Sequence, residues 1–289
     1  MQDIQFSFER VWSIDVRGKH LLEGPVLSPD GTRVYFTDCF QGTIYEFDPS
    51  QPTVAPVEVF SYAPYCCNGL QFLPNGKLIA CLWKGLIWPK GMLHELDLHH
   101  KPTPKTEERI SHSTAGKQFR HPNDLAVDEE GGIYFTDLRG GHVYYYSCGD
   151  TQATSCLELD KPNGIELQIK KGKAVSLYVA ESGTSSVLQY EIKSPGVIGE
   201  QIANQRFKIK HAVDGLALSP TGLLFVAEKG AVYALDAHLD PIGRAPLMKQ
   251  DPPTPSNICF IDEKRFVVTS YRSLLCPNKA ELFIGTIDD

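Results

Sequence analysis

The chain has 289 residues, of which 42% are hydrophobic, and its 28 Lys and Arg against 35 Asp and Glu give a net charge of −7. This acidic balance argues against a phosphate backbone, so nucleic acid is not an expected partner. No apolar run approaches a membrane span, and the first fifteen residues lack a signal-peptide core, so we expect a cytoplasmic protein with no membrane partner. Its eight cysteines show no CxxC pair and are expected to be reduced.

A short polar residue precedes an apolar-alternating strand six times along the chain. In chain order the six openings are Glu23-Gly24, Asn68-Gly69, Asn123-Asp124, Asn163-Gly164, Asp214-Gly215 and Ser256-Asn257. They recur every 40 to 55 residues, and further strands follow each one, as at 33–38 and 42–47. Repeats of this period indicate propeller blades. The sequence therefore predicts an all-β fold, a six-bladed β-propeller with a central tunnel, in which residues 1–289 form a single domain.

The N-terminal segment 4–14 alternates weakly and has no opening of its own. A propeller must close on itself, because an unpaired edge strand invites association with other chains. We therefore expect this segment to pair with the last blade, 266–287, and to close the ring.

The six polar openings are candidates for a cation site. The first strand of each propeller blade lines the tunnel, so these residues should converge at one end of it. Carboxylate and amide oxygens without thiolate or imidazole suit a hard cation, most of all Ca²⁺, with Mg²⁺, Mn²⁺ and Fe²⁺ as alternatives. Glu23 and Asp214 would balance its charge, and Asn123 and Asn163 would add neutral oxygens. The alternative is that these pairs are ordinary turns between blades, but six copies in phase favour the site.

Two histidines lie close in sequence to the ring that the six openings are expected to form. His121 comes two residues before Asn123, and His211 three residues before Asp214, so either could act as an acid or base on a bound substrate. A hydrogen-bonded loop histidine is the alternative for each of them.

Apolar and thiol side chains also lie near the openings. Trp83 and Trp88, with Leu86 and Ile87 between them, occupy the blade 2 hairpin and could form an apolar wall over the site, or simply pack. Cys66 and Cys67 directly precede Asn68, where they could line the tunnel mouth or fill the core.

The openings and their neighbours resemble a known superfamily. Glu23-Gly24-Pro25, His121-Pro122-Asn123-Asp124, Pro162-Asn163-Gly164 and Val213-Asp214-Gly215 fall in the order found in senescence marker protein, gluconolactonase and luciferin-regenerating enzyme. The resemblance spans nearly the whole chain and implies a six-bladed propeller that hydrolyses lactones. It also implies one divalent cation, commonly Ca²⁺, at Glu23, Asn123, Asn163 and Asp214.

Finer resemblances bear on the substrate and on a second metal. Residues 131–140 look most like the drug-responsive bacterial lactonases, and residues 255–257 resemble diisopropylfluorophosphatase. Sugar-lactone members place Arg where this chain has His121, with Arg120 one step further back, so a less polar lactone is expected. Two-metal members carry an acid and a His where this chain has Ala217 and Cys259, so no second cation is expected.

The leading hypothesis is a metal-dependent lactonase acting on a small-molecule lactone or ester. The cation would polarise the ester carbonyl, and Asp214 would activate water or attack directly, with His121 as a second catalytic candidate. The residues predicted to contact the substrate are Asn68, Asn123, Ser256, Asn257 and Trp83. Two alternatives stay open: a phosphotriesterase-like hydrolase on the same site, and a non-catalytic binding propeller with a structural cation. The sequence does not indicate an oligomeric state.

Overall fold

The computed structural model describes residues 4–85, 87–100, 103–208, 213–272 and 279–288. Over these residues the chain forms six antiparallel sheets of four strands each. No helix among them is long and apolar enough to cross a membrane. The sheets follow one another along the chain as the spacing of the openings predicts, so the predicted all-β, six-bladed propeller is confirmed.

The two ends of the chain meet in blade 6. The N-terminal strand β1 (Phe6–Ile14) pairs with the last strand of the chain, and Phe6 stands opposite Ile287. Phe6 also packs against Phe225 and Phe266, which fixes β1 in the core shared by blades 5 and 6. The predicted closure by the N-terminal strand is therefore confirmed.

The other strands follow in sequence order, and each blade begins with its innermost strand. Blade 1 contains β2 (Leu22–Leu27), β3 (Val34–Asp38), β4 (Thr43–Phe47) and β5 (Val57–Ser61). Blade 2 contains β6 (Cys66–Phe72), β7 (Leu78–Lys84), β8 (Lys90–Asp97) and β9 (Lys105–Ile110). Blade 3 contains β10 (Pro122–Val127), β11 (Ile133–Asp137), β12 (His142–Tyr146) and β13 (Thr154–Glu158).

The second half of the ring repeats this arrangement. Blade 4 contains β14 (Pro162–Lys170), β15 (Lys173–Glu181), β16 (Ser186–Ser194) and β17 (Val197–Arg206). Blade 5 contains β18 (Val213–Leu218), β19 (Leu224–Glu228), β20 (Ala231–Leu235) and β21 (Pro241–Ala245). Blade 6 contains β22 (Thr254–Phe260), β23 (Arg265–Tyr271), β24 (Ala280–Ile287) and β1. The six innermost strands contact one another in a closed circle, β2 to β6, β10, β14, β18, β22 and back to β2.

The core lies between neighbouring blades. The second strands β3, β11 and β19 are buried along their whole length, which accounts for their nearly continuous apolar runs. The outer strands β5 and β13 are half-buried or exposed. Each blade therefore stands edge-on to the tunnel and brings the start of its first strand to the same end.

Candidate metal centre and substrate pocket

The innermost strands approach one another most closely at their openings. A Cβ atom added to Gly24 would lie 2.5 Å from Asn68 O, and one added to Gly69 would lie 2.8 Å from Asn123 O. Both separations are far shorter than a carbon atom tolerates, so only glycine fits there. These glycines lie inside strands at contacts between blades, not at turns, and they connect the openings of blades 1, 2 and 3.

The ring continues through blades 4 and 5. Thr136 Oγ1 donates a hydrogen bond of 2.6 Å to Asn163 O, which ties blade 3 to the opening of blade 4. A Cβ atom on Gly164 would lie 2.4 Å from Asp214 O, so the openings of blades 4 and 5 also touch. The predicted convergence of the openings at one end of the tunnel follows from these contacts.

Two side chains fill the centre of this ring. Blades 3 and 6 carry Asp124 and Asn257 where the other four carry glycine, and Asn257 Nδ2 donates to Asp124 Oδ2 at 3.1 Å. Cβ atoms on Gly69 and Gly215 would lie 2.7 Å from Asp124 Oδ1 and 2.3 Å from Asn257 Oδ1. Because blades 3 and 6 are opposite, this pair spans the tunnel and forms a floor under the ring. Sequence reasoning gave Asp124 no role, although its departure from glycine was the available signal.

The carboxyl groups around this centre repel one another. Burial raises the pKa of Glu23 well above its usual value, and the negative charges of Asp214 and Asp124 raise it further. Burial and then the charge of Asp124 raise the pKa of Asp214 to about 7, and burial raises the pKa of Asp124 to about 6. The charges acting on Glu23 and Asp214 therefore come from other carboxylates, and a cation between them would relieve the repulsion.

The predicted ligand set fits a hard cation. Glu23 and Asn123 are buried, whereas Asn163 and Asp214 are half-buried. Asn163 Nδ2 donates to Ser182 Oγ at 3.1 Å, and a side-chain hydrogen bond from Asn163 also reaches the Asp214 carboxylate. Over the described residues, no group of three or more His, Cys, Asp or Glu is arranged to hold a metal. The ring differs from such groups because half of its donors are amides, which suits Ca²⁺.

The remaining openings serve the joints between blades. Ser256 is fully buried, and its hydroxyl donates to Leu22 O at 2.5 Å, which joins blade 6 to blade 1, and lies 2.9 Å from Thr269 Oγ1. Asn68 is buried, and its backbone carbonyl accepts a hydrogen bond of 3.0 Å from Thr37 Oγ1. Substrate contact by Ser256 and Asn257 stays a prediction. In the structure the Ser256 hydroxyl lies between two strands, and Asn257 lies in the floor.

A cluster of mainly apolar side chains lies beside the ring of openings. We call it the mouth cluster, and its members are Leu21, Cys39, Phe40, Cys66, Trp83 and Tyr271. Burial raises the pKa of Tyr271, and the charges of Asp214 and Glu23 raise it further, which places the phenol close to the ring. The Trp83 ring lies 4.1 Å from the His121 ring, centroid to centroid. The predicted substrate residue Trp83 therefore stands in a wall next to the ring carboxylates.

His121 is held as a neutral imidazole. Burial lowers its pKa to about 3, and the positive charge of Arg139 lowers it further. Its backbone N–H donates to Asp137 Oδ1 at 2.7 Å, whereas Nδ1 is buried without a hydrogen-bond partner among the described residues. A neutral ring of such low basicity suits hydrogen bonding to a ligand better than proton transfer. The catalytic role of His121 stays a prediction, and His211 lies outside the described residues.

Two further residues of the predicted blade 2 wall are exposed. Ile87 and Trp88 are 77% and 83% exposed, on the hairpin that extends past Trp83 between β7 and β8. Leu86 lies outside the described residues. Of the three members of this group that the structure describes, only Trp83 packs in the mouth cluster.

The acids that end the second strands have a different environment. Asp137 Oδ1 and Oδ2 accept hydrogen bonds from the backbone N–H groups of His121 (2.7 Å), Arg120 (2.8 Å) and Gly140 (2.9 Å). Asp38 likewise accepts from Leu21 N at 3.2 Å and contacts His20 Nδ1 at 2.6 Å. Each of these acids anchors the segment that leads into a ring strand.

A cavity of about 180 Å³ lies in the tunnel beyond the floor. Asp124 and Asn257 border it on the ring side, and Glu166, Ala217 and Cys259 line it further along. Ala217 and Cys259 occupy the positions where two-metal members have their acid and His, and neither offers an oxygen from its side chain. The expected absence of a second cation stays a prediction.

Comparison with known proteins agrees with this architecture. A family model described as the SMP-30/Gluconolactonase/LRE-like region matches residues 21–272, which include all six openings. The chain belongs to this family. The predicted superfamily is thereby confirmed from sequence and fold together.

Individual relatives support the same assignment. The chain is 24% identical over 272 residues to a gluconolactonase of Zymomonas mobilis, covering 82% of this chain and 72% of that protein. A gluconolactonase structure from Xanthomonas campestris superposes with a TM-score of 0.75 at 18% identity, covering 97% and 89% of the two chains. A calcium-binding regucalcin from Agrobacterium tumefaciens superposes with a TM-score of 0.70 at 16% identity, covering 96% and 94%. At these identities the structural likeness shows the fold.

Proposed function

We propose that this protein is a divalent-metal-dependent lactonase. It opens the cyclic ester of a small lactone at the end of the tunnel where the six openings converge. The observation that carries the proposal is the facing pair Glu23 and Asp214, whose pKa values are raised by burial and by other carboxylates. The gluconolactonase relative supports the reaction, and the regucalcin relative, described as calcium-binding, supports Ca²⁺ as the cation.

The residues of the ring of openings have two roles, cation binding and proton transfer. Glu23, Asn123, Asn163 and Asp214 would hold the cation, which supplies Lewis acidity toward the ester carbonyl when bound. Asp214 is the half-buried carboxylate of the four, so one of its oxygens can accept a proton from water. The hydrogen bond from Asn163 orients that carboxylate. The water oxygen bonds to the carbonyl carbon as it loses this proton, and the C–O bond of the lactone ring then breaks. Asp214 returns the proton to the departing alkoxide oxygen, and the product is the open hydroxy acid.

The pocket wall favours a weakly polar lactone. Trp83 and Tyr271 offer aromatic surface beside the ring, and neutral His121 offers a hydrogen bond without charge. The Arg120 side chain is exposed, and its Nη1 donates to Arg139 O at 3.3 Å, so it does not restore the guanidinium of sugar-lactone members. Apolar contact contributes on the order of 25 cal/mol per Å² buried, which an aromatic ester gains and a polyol does not.

A lactone panel with and without chelator tests the function. The protein loaded with Ca²⁺ should hydrolyse at least one lactone, chelator should abolish the activity, and added Ca²⁺ should restore it. The Glu23→Gln, Asp214→Asn double variant is the matched control, because it keeps the shape of the ring without its charge. Failure of the loaded protein on every lactone, or activity that chelator leaves intact, would overturn the proposal.

A further inference from the structure

Two cysteines from different blades meet in the mouth cluster. Cys39 follows the last residue of β3 in blade 1, and Cys66 opens β6 in blade 2. The Cys66 side chain raises the pKa of the Cys39 thiol, and Cys39 lowers the pKa of the Cys66 thiol, because the two groups lie beside each other. The two side chains pack in one cluster with Leu21 and Trp83.

The backbones on either side hold this pair together. Cys67 N donates to Cys39 O at 3.1 Å, so the blade 1 hairpin and the start of β6 run beside each other like paired strands. Paired strands lie about 5 Å apart, inside the Cα separation of roughly 4.4–6.8 Å that a disulfide requires. Cys66, the residue next to this hydrogen bond, is therefore about one strand spacing from Cys39, which is a separation that a disulfide can bridge.

The neighbouring Cys67 does not take part. Side chains alternate along a strand, and Cys67 packs in the core between blades 1 and 2 with Tyr62 and Leu70, away from the mouth cluster. The described residues also contain no group of three metal-binding side chains here. The site is therefore a dithiol and not a soft-metal site.

The two thiols differ in access. Cys39 is 1% exposed, whereas Cys66 is half-buried and reachable from the mouth. A reagent therefore meets Cys66 first, and Cys39 is in place to resolve the product, which is the arrangement of redox-sensitive thiol pairs.

We propose that Cys39 and Cys66 are a thiol modification site that forms a reversible disulfide with a peroxide as the oxidant. The Cys66 sulfur attacks one peroxide oxygen, breaks the O–O bond and becomes a sulfenic acid, and the other oxygen leaves as water. The Cys39 sulfur then attacks the Cys66 sulfur, the S–O bond breaks, and a second water leaves. Two thiols and one hydrogen peroxide become one disulfide and two waters, so the cysteines lose two electrons and the peroxide gains them.

The full-length protein, reduced and freed of reductant, is treated with equimolar hydrogen peroxide. Its intact mass should fall by about 2 Da, and a phosphine reductant should reverse the change. Peptide mapping without reduction should join the Cys39 peptide to the Cys66 peptide. The oxidised form should melt about 5 °C higher, because the bond restricts the unfolded chain.

Single variants separate this pair from the other cysteines. Cys148→Ser is the matched control, since Cys148 is exposed, and it should oxidise like the wild type. Cys39→Ser should not show the 2 Da fall in intact mass. It should instead accumulate a sulfenic acid on Cys66, which dimedone traps. A cross-link to Cys67 or Cys148, the same 2 Da loss in Cys39→Ser, a persistent sulfenic acid in the wild type, or no reaction would each overturn the proposal.

Discussion

Two groups of buried or half-buried carboxylates lie at the same end of the tunnel, and their surroundings differ. Asp137 ends a second strand, and its oxygens accept three backbone N–H bonds that fix the segment entering blade 3. Glu23 and Asp214 open first strands, and the charges that act on them belong to other carboxylates. A buried acid supplied with backbone donors holds the fold, whereas buried acids that face one another are arranged for a cation.

The largest expected effect is on catalysis, at Asp214. Asp214→Asn keeps a neutral oxygen of the same shape but cannot accept a proton, so kcat/KM for the best lactone should fall by about 10²- to 10⁴-fold. The measurement is steady-state kinetics on protein whose metal content has been verified. A metal-loaded variant with the wild-type rate would reduce Asp214 to a ligand and show that another group accepts the proton.

Asn163 provides the matched control for that result. Asn163→Ala removes a cation ligand and the hydrogen bond that orients Asp214 but leaves the proton acceptor itself, so it should weaken cation binding and lower kcat at saturating Ca²⁺ less than Asp214→Asn does. Equal losses of kcat in both variants would mean that the two side chains do not divide binding from proton transfer.

The second prediction concerns the fold-holding acid. Asp137→Ala leaves three backbone N–H groups without their acceptor, which should lower the free energy of unfolding by about 3 kcal/mol, and the melting temperature by roughly 5 °C. Thermal unfolding followed by circular dichroism measures this. Asp150→Ala, at an exposed turn, should leave the melting temperature unchanged. An unchanged melting temperature in Asp137→Ala would remove the distinction between the two groups.

The third prediction is a pH dependence confined to the metal-free protein. The folded pKa of Asp214 is raised from 3.8 to about 7 and that of Asp124 to about 6, so their contribution to stability is full below about pH 4 and is lost as pH rises toward 7. In chelator, the melting temperature should therefore fall by several degrees between pH 5 and pH 7.5. Saturating Ca²⁺ or Asp214→Asn should reduce that fall, and an identical fall in all three samples would contradict the assignment of its cause.

The smallest expected effect is on substrate choice. Trp83→Ala should lower kcat/KM for a dihydrocoumarin-type ester by about 5- to 10-fold, because an aromatic contact contributes about 1 kcal/mol, and it should affect gluconolactone less. Trp88→Ala is the control, since that ring is 83% exposed, and should change neither substrate. The wild type should prefer the aromatic ester once spontaneous gluconolactone hydrolysis is subtracted. Preference for the sugar lactone would make Trp83 a packing residue.

The sequence predicted the ring well because periodicity determines which residues open each blade. The six phased openings were enough to place Glu23 and Asp214 at one end of the tunnel and to pair the N-terminal segment with blade 6. The same pattern could not distinguish a glycine at a turn from one at a contact between blades. That distinction depends on how closely the neighbouring strand approaches the glycine. A Cβ atom on Gly24, for example, would lie only 2.5 Å from Asn68 O.

Contacts between residues far apart along the chain were beyond the sequence for the same reason. The floor pair of Asp124 and Asn257 joins residues 133 positions apart. The mouth cluster assembles Cys39, Trp83 and Tyr271 from three blades. Ser256 fits the phase of the ring, but its hydroxyl is used between strands. Side-chain direction and packing, which periodicity does not specify, determine all three.

We expect one cation, held by Glu23, Asn123, Asn163 and Asp214, to be required for lactone hydrolysis. The most direct measurement is a Ca²⁺ titration of chelator-treated protein, with bound metal and lactonase activity determined on the same samples. Activity should rise in proportion to occupancy and level off at one ion per chain. The Glu23→Gln, Asp214→Asn double variant should neither bind Ca²⁺ nor hydrolyse lactones. Full activity in metal-free protein, saturation near two ions per chain, or binding retained by the double variant would contradict this expectation.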